Sequence, residues 1–165
     1  MPGSGKTWIM RVLEKDFGLS VQDLDDYFEF QCGMSISQFW AQYGQEEFRC
    51  LERYFMLELL ESQVSIIAMG GGTPCFFNNI ELIKERSLSI YLKVNPIQLN
   101  VQTNFKNRPL FDGNSNRLDQ LEQLYRQRSA WYERADKIIV NDFNELNVID
   151  NVKNVCINYF QSQII

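Results

Sequence analysis

The sequence contains no histidine among its 165 residues. That absence excludes Ser-His and Cys-His catalysis and removes the commonest side-chain ligand of transition metals. The four cysteines form neither a C-x-x-C pair nor a zinc-site spacing; they are Cys32, Cys50, Cys75 and Cys156. We interpret them as reduced packing residues of a cytosolic protein, because disulfides are rare in that compartment.

Basic residues and long apolar runs are also scarce. Lysine and arginine together number 16 against 21 acidic residues, which gives a net charge of −5. A nucleic-acid or anionic-membrane surface needs an excess of positive charge, so we expect neither partner. No apolar run approaches membrane-spanning length and no signal peptide is visible, which favours a cytoplasmic location. The chain is 45% hydrophobic, and its length predicts one domain over 1–165.

The strongest chemical signal is the N-terminal segment M-P-G-S-G-K-T, which contains Gly3, Ser4, Gly5, Lys6 and Thr7. It matches the phosphate-binding pattern G-x-x-x-x-G-K-[ST] without the first glycine. The glycines allow backbone N–H groups to converge on a phosphate, and the lysine can reach the β- and γ-phosphates. The threonine hydroxyl can ligate Mg²⁺, and a helix N-terminus adds positive potential. The alternative is a flexible Gly-Ser segment that binds nothing.

A pair of carboxylates, Asp23 and Asp25, follows this segment. We predict a strand over 19–24, which would place both carboxylates on one side at the strand end, because residues two apart share a face. Mg²⁺ favours carboxylate oxygens and bound water. The alternative is a solvated acidic turn in which Asp26 caps a helix.

The hydrophobic pattern predicts an alternation of helices and strands. Further strands are predicted over 64–69, 88–94 and 137–140; helices are predicted over about 6–16, 26–32, 35–41, 45–62, 78–86, 96–103, 117–135 and 144–165. This alternation is typical of an α/β protein with a parallel sheet. The polar, turn-rich segment 104–116 is long for a connection and predicts a lid.

Two features beyond the N-terminus point to a ligand. Gly70, Gly71 and Gly72 follow the apolar strand 64–69, where a backbone without side chains can approach a ligand at a strand end. Arg128 lies on the inward-facing stripe of the helix over 117–135, so it needs an anionic partner. The alternatives are a flexible turn for the glycines, and for the arginine a side chain that reaches solvent or pairs with a local carboxylate.

Motifs spread over nearly the whole chain resemble those of the shikimate kinase family. They are Gly3-Ser4-Gly5-Lys6-Thr7, Asp23-Leu24-Asp25, Gly33-Met34-Ser35-Ile36, Gly44-Gln45-Glu46-Glu47-Phe48-Arg49, Gly70-Gly71-Gly72, Arg108-Pro109-Leu110, and Arg128 followed by Tyr132. The resemblance implies a three-layer P-loop kinase fold with a five-stranded parallel sheet of order 2-3-1-4-5. It implies transfer of the γ-phosphoryl group of ATP to the 3-hydroxyl of shikimate, with Mg²⁺, by a monomer.

The resemblance also implies roles for individual residues. Lys6 resembles the phosphate lysine and Thr7 the Mg²⁺ ligand, while Asp23 resembles the aspartate that supports the metal through water. Asp25 resembles the group that hydrogen-bonds the ring hydroxyls, as an orienting group first and a base second. Arg108 resembles a lid arginine that reaches the phosphates on closure. Arg49 and Arg128 resemble the carboxylate clamp, the three glycines its backbone wall, and Trp40 and Phe48 the aromatics against the ring; a guanidinium fork suits a planar carboxylate.

The sequence departs from the family at four places. The first strand and the first glycine of the loop are missing, so we expect Met1 to be an internal methionine of a chain that starts about ten residues earlier. Without that strand, two strand edges are expected to be open. Gln45 stands for a glutamate, Ala130 for a proline, and 101–103 offers no arginine to stack on adenine.

Two other functions compete with the leading one. The first is another P-loop small-molecule kinase, such as a gluconate-type enzyme, whose substrate also carries a carboxylate. The second is an inactive truncated remnant that binds nucleotide weakly; the absent strand supports it. The presence of every polar residue that the chemistry needs, from Lys6 to Arg128, argues against the remnant.

Overall fold

The computed structural model describes residue 1, residues 3–102 and residues 117–162, and the elements below lie within them. The helices are α1 (Lys6–Phe17), α2 (Leu24–Cys32), α3 (Ile36–Glu61), α4 (Asn79–Arg86), α5 (Pro96–Gln102), α6 (Arg117–Tyr132) and α7 (Glu145–Ser162). The strands are β1 (Val21–Asp23), β2 (Ile66–Ala68), β3 (Ile90–Lys93) and β4 (Lys137–Val140), and a 3₁₀ turn spans Thr73–Cys75. All four predicted strands are present, each somewhat shorter than or equal to its predicted span.

The strands form two parallel pairs. β1 pairs with β2, with Val21 opposite Ile66, and β3 pairs with β4, with Ile90 opposite Lys137. The two pairs are separate two-stranded sheets among the described residues. Parallel pairing requires helical crossovers, and α2 with α3 supplies one of them. The predicted α/β architecture with parallel strands is therefore confirmed.

The break in the sheet lies between β2 and β3. There a cleft of about 480 Å³ is lined mainly by apolar side chains of β2, β3, α1 and α7, among them Ile67, Tyr91, Leu92, Ile9, Leu13 and Val152. This is the position at which the resemblance places the missing strand. The described part of the chain thus has the two unpaired strand edges that the sequence predicts.

Of two local predictions, one was confirmed and one was wrong. The predicted helices over 35–41 and 45–62 both form and are joined as α3 across a kink at Gly44, whose φ of 84° and ψ of 178° are not helical. Ser35 caps this helix, and Gln38 completes a capping box. Asp25 lies in the first turn of α2 rather than on the strand, because the side chain of Asp23 accepts a hydrogen bond from the Asp25 backbone N–H and starts the helix there.

Three apolar clusters hold these elements together. The largest packs α2 against α3 around Phe28 and Met56, and Phe28 contacts Phe39, Phe48 and Phe55 through tilted or edge-to-face rings. A second cluster lies between β3 and α6, and a third packs α1 and α7 against β3 and β4. Within the described ranges, no helix is both long and apolar enough to cross a membrane.

Candidate active site

The N-terminal loop has the conformation of an anion-binding turn. Gly3 and Gly5 have φ of 76° and 84°, in the left-handed region that only glycine adopts readily, as the sequence predicts. The loop folds back on itself, because the Ser4 hydroxyl donates to the Met1 carbonyl at 2.9 Å and Lys6 Nζ donates to the same carbonyl at 3.0 Å. Helix α1 begins directly after Gly5 and directs its N-terminal N–H groups at the loop.

Asn141, which sequence reasoning missed, anchors this loop from the far end of the chain. It follows β4 and donates from Nδ2 to the Ser4 carbonyl at 3.0 Å, and its side chain is buried. The amide thereby ties the loop to the carboxyl end of β4. No pattern in the sequence indicates a contact between residues 137 positions apart.

Thr7 and Asp23, the two predicted metal-site residues, lie together. The Thr7 hydroxyl donates to Asp23 Oδ2 at 2.7 Å, across the end of β1. Both side chains offer oxygen atoms as metal ligands, one neutral and one anionic. Mg²⁺ prefers oxygen ligands of this kind when it keeps most of its bound water. In the described ranges, no group of three or more cysteine or acidic side chains could hold a metal by itself. Thr7 and Asp23 therefore fit a cation whose remaining ligands would be phosphate oxygens and water.

Asp25 faces the first glycine of the triple-glycine segment. A Cβ atom at Gly70 would lie 2.8 Å from Asp25 Oδ1, 3.0 Å from Thr73 Oγ1 and 3.2 Å from Glu52 Oε1. Only a residue without a side chain fits among these oxygens. The structure thus brings Asp25 onto the glycine segment, although it reaches that place from a helix.

Arg49 is the most deeply buried cation described, with a relative exposure of 6%. Its Nη1 donates to Glu52 Oε2 at 2.6 Å, and the second oxygen of Glu52 accepts from the Thr73 hydroxyl at 2.8 Å. A buried charge is tolerated when it is paired and hydrogen-bonded in this way. Glu52 and Thr73 were missed from the sequence; the i, i+3 spacing of Arg49 and Glu52 on a helix was the available signal.

Aromatic rings and a glycine enclose the Arg49 guanidinium. Its Cζ lies 4.2 Å from the Phe76 ring centroid, 4.8 Å from that of Phe48 and 5.6 Å from that of Trp40. A Cβ atom at Gly72 would lie 2.6 Å from Nη2. Nε is buried without a hydrogen-bond partner among the described residues. Trp40 and Phe48 thus support the arginine, and Phe48 belongs to the core.

Arg128 approaches the same region from α6. It is half-buried, and its positive charge acts against the burial that raises the pKa of the Tyr132 hydroxyl one helical turn away. Burial raises the pKa of the Cys75 thiol, and the positive charges of Arg128 and Arg49 both act against that rise. Both guanidinium groups therefore lie within electrostatic range of one thiol, although they come from separate helices.

Most of the predicted site residues converge, and one set cannot be placed. Lys6 and Thr7 lie at the phosphate loop, Asp25 and Arg49 lie against the segment from Gly70 to Gly72, and Arg128 lies within electrostatic range of Cys75 just after it. Arg108 and the predicted lid at 104–116 lie outside the described residues.

Comparisons with known proteins agree on one family. A family model described as shikimate kinase matches residues 2–157. The shikimate kinase of Parabacteroides distasonis is 31% identical over 156 residues, covering 88% of this chain and 90% of the relative. That of Clostridium botulinum strain 657 is 32% identical over 157 residues, covering 93% and 91%.

Solved structures show the same likeness in three dimensions. The shikimate kinase of Bacteroides thetaiotaomicron superposes with a TM-score of 0.84 at 24% identity, covering 93% of each chain. That of Acinetobacter baumannii, solved in complex with shikimate, superposes with a TM-score of 0.82 at 27% identity, covering 98% of this chain and 89% of the other. The predicted P-loop kinase fold is confirmed.

Proposed function

Because the chain belongs to the shikimate kinase family, we propose that its described residues bind ATP and shikimate and transfer the γ-phosphoryl group to the 3-hydroxyl, giving shikimate 3-phosphate and ADP. Family membership makes the chain an enzyme, a kinase with ATP as co-substrate. The observation that carries the proposal for the site is one contact set. The Asp25 carboxylate and the buried Arg49 guanidinium both lie against a glycine segment that leaves room for nothing larger.

The phosphate end of the site is the loop from Gly3 to Lys6. Its left-handed glycines and the N-terminus of α1 supply N–H groups and positive potential for the polyphosphate. Lys6 already lies over the loop, donating to the Met1 carbonyl and, at 3.4 Å, to the Ser4 hydroxyl. A phosphate oxygen offers this ammonium a charged acceptor, so Lys6 would exchange its contacts for stronger ones.

Thr7 and Asp23 would hold Mg²⁺, Thr7 directly and Asp23 through water. When bound, the ion neutralises charge on the phosphates. The protein holds the side-chain oxygens of Thr7 and Asp23 next to each other. Asp23 is fixed there because its side chain also caps α2.

The acceptor end lies between Asp25 and the two arginines. Arg49 and Arg128 would bind the shikimate carboxylate, and Asp25 would accept hydrogen bonds from ring hydroxyls. The oxygen of the 3-hydroxyl attacks the γ-phosphorus as the bond to the ADP oxygen breaks, and the hydroxyl proton leaves toward Asp25. A loose transition state demands little of a base, so Asp25 acts mainly by orienting the hydroxyl.

Several parts of the proposal lie beyond the described contacts. We place Arg108 on the lid 104–116, where it would reach the phosphates after closure and help to exclude water. We also propose a single domain that works as a cytoplasmic monomer. The absence of an arginine at 101–103 predicts weak discrimination among nucleotide bases.

The test is ADP release from MgATP by the purified chain, measured with shikimate, with gluconate and with neither. Shikimate-dependent release and a product heavier than shikimate by one phosphoryl group are expected. Gluconate-dependent release would instead support the gluconate-type alternative. No release with either acceptor from a cooperatively folded chain would overturn the proposal and leave the inactive remnant.

A further inference from the structure

One hydroxyl joins the two sides of the acceptor site. Tyr132 Oη donates to the Gly71 carbonyl at 2.5 Å, linking the end of α6 to the glycine segment 61 residues earlier in the chain. Arg128, one turn earlier on α6, and the Cys75 thiol both lie near enough to this hydroxyl to affect its pKa. A phenol oxygen can donate once and accept twice, so it can serve the carbonyl and the guanidinium together.

The bond to Gly71 fixes the backbone where it meets Arg49. The Gly71 carbonyl and the Gly72 N–H belong to one planar trans peptide, so they point in opposite directions. Holding the carbonyl on Tyr132 therefore sets the direction of the Gly72 N–H. Gly72 is also the residue that packs against the Arg49 guanidinium.

Tyr132 thus lies near Arg128 on α6 and is linked to Arg49 through one peptide. Its side chain is 5% exposed and its ring stacks on Tyr91 at a centroid distance of 5.1 Å. Burial is the main reason that the pKa of Tyr132 is raised, so the hydroxyl keeps its proton for the carbonyl at physiological pH. A rigid, protonated donor is what a fixed peptide orientation requires.

We propose that Tyr132 is a positioning residue for acceptor binding: its hydroxyl holds the Gly71–Gly72 peptide and the Arg128 guanidinium in one arrangement that receives the substrate carboxylate. This inference rests on the proposed function. It adds a residue that touches neither phosphate nor substrate and acts through the groups that do.

Tyr132→Phe tests the proposal, because it removes the hydroxyl and keeps the stacked ring. Tyr91→Phe is the matched control: Tyr91 is the other ring of the stack, is 6% exposed, and has a hydroxyl without a partner in the described residues. We expect Tyr132→Phe to raise the KM for shikimate about tenfold, as for a lost hydrogen bond to a charged group. We expect the KM for ATP and kcat to change less than about twofold, because only acceptor binding is affected.

Tyr91→Phe is expected to leave all three constants near those of the wild type. An unchanged shikimate KM in Tyr132→Phe, or equal rises in both KM values, would overturn the proposal. Equal effects of the two substitutions would also overturn it, since they would indicate general loosening of the ring pair.

Hydrogen exchange separates this inference from the proposed function. Peptides that cover 70–76 should exchange faster in Tyr132→Phe than in Tyr91→Phe, because the glycine segment loses its anchor. If the wild-type chain shows no shikimate-dependent turnover, the function fails and the exchange result still decides whether Tyr132 holds the segment. Equal exchange in both variants would refute that role.

Discussion

Removal of the Glu52 carboxylate should test whether the buried Arg49 guanidinium depends on it. This carboxylate is 3% exposed and holds both Arg49, at 2.6 Å, and Thr73, at 2.8 Å. Glu52→Ala would leave the Arg49 guanidinium buried among aromatic rings without an anion. Breaking a buried pair by removing one partner costs about 3–5 kcal/mol.

That loss translates into a large thermal shift. For a domain of this size each kcal/mol lowers Tm by about 2–4 °C, so Glu52→Ala should melt roughly 6–20 °C below the wild type. Glu58→Ala is the matched control on the same helix, because Glu58 is exposed and accepts a hydrogen bond from the Tyr27 hydroxyl. An exposed substitution of this kind costs about 0.5 kcal/mol or less. Glu52→Gln keeps the shape and the acceptor oxygen, so it should fall between the two.

Calorimetry or circular dichroism melts of the three variants decide the matter. Saturating shikimate should restore more of the Tm in Glu52→Ala than in Glu58→Ala, because the ligand carboxylate gives Arg49 a new partner. A Glu52→Ala melt within about 2 °C of the control, where roughly 1 kcal/mol or less separates the two, would refute the argument that Arg49 depends on this carboxylate.

Three further predictions concern the two arginines, Lys6 and the Asp136 carboxylate that precedes β4. Arg49→Ala or Arg128→Ala should weaken shikimate binding strongly and nucleotide binding little, and calorimetric titration that finds equal losses would contradict the carboxylate clamp. Lys6→Ala should abolish turnover while shikimate binding stays near normal, and retained ADP release would show that its role is wrong. Burial acts to raise the pKa of Asp136, but hydrogen bonds from Ser89 and the nearby Lys84 ammonium together outweigh it and the pKa is lowered. This carboxylate therefore stabilises the fold above its unfolded pKa, and the Tm difference between the wild type and Asp136→Asn should shrink as the pH falls below about 4; a difference independent of pH would count against the pairing.

The sequence predicted the parts of the fold that depend on local pattern. The glycines of the phosphate loop need left-handed backbone, and the predicted first helix ends in that conformation at Gly18. The four strands were recognised because each is a short apolar run between helical segments. The predicted separation of the helices 35–41 and 45–62 is also local, since the non-helical backbone of Gly44 kinks the chain between them.

Site residues could be predicted where the residue type indicates the chemistry. They were missed where their role depends on a partner that is distant in the sequence. Arg49 was recognised by resemblance and not from its own helical pattern. Glu52 was missed, because its burial depends on Thr73, which arrives from another element. Asn141 was missed for the same reason, since its contact with Ser4 spans nearly the whole chain.

The division of the sheet has a consequence for cooperativity. β1 and β2 come from the continuous stretch 21–68, and β3 and β4 from 90–140, so each pair is a local unit of the chain. Arg49 belongs to the first unit and Arg128 to the second, and the Tyr132–Gly71 bond bridges them. An anionic ligand, such as a carboxylate, held by both arginines would link the two units for as long as it stays bound. We expect the two units to open at different free energies in the free protein and to open together once the acceptor is bound.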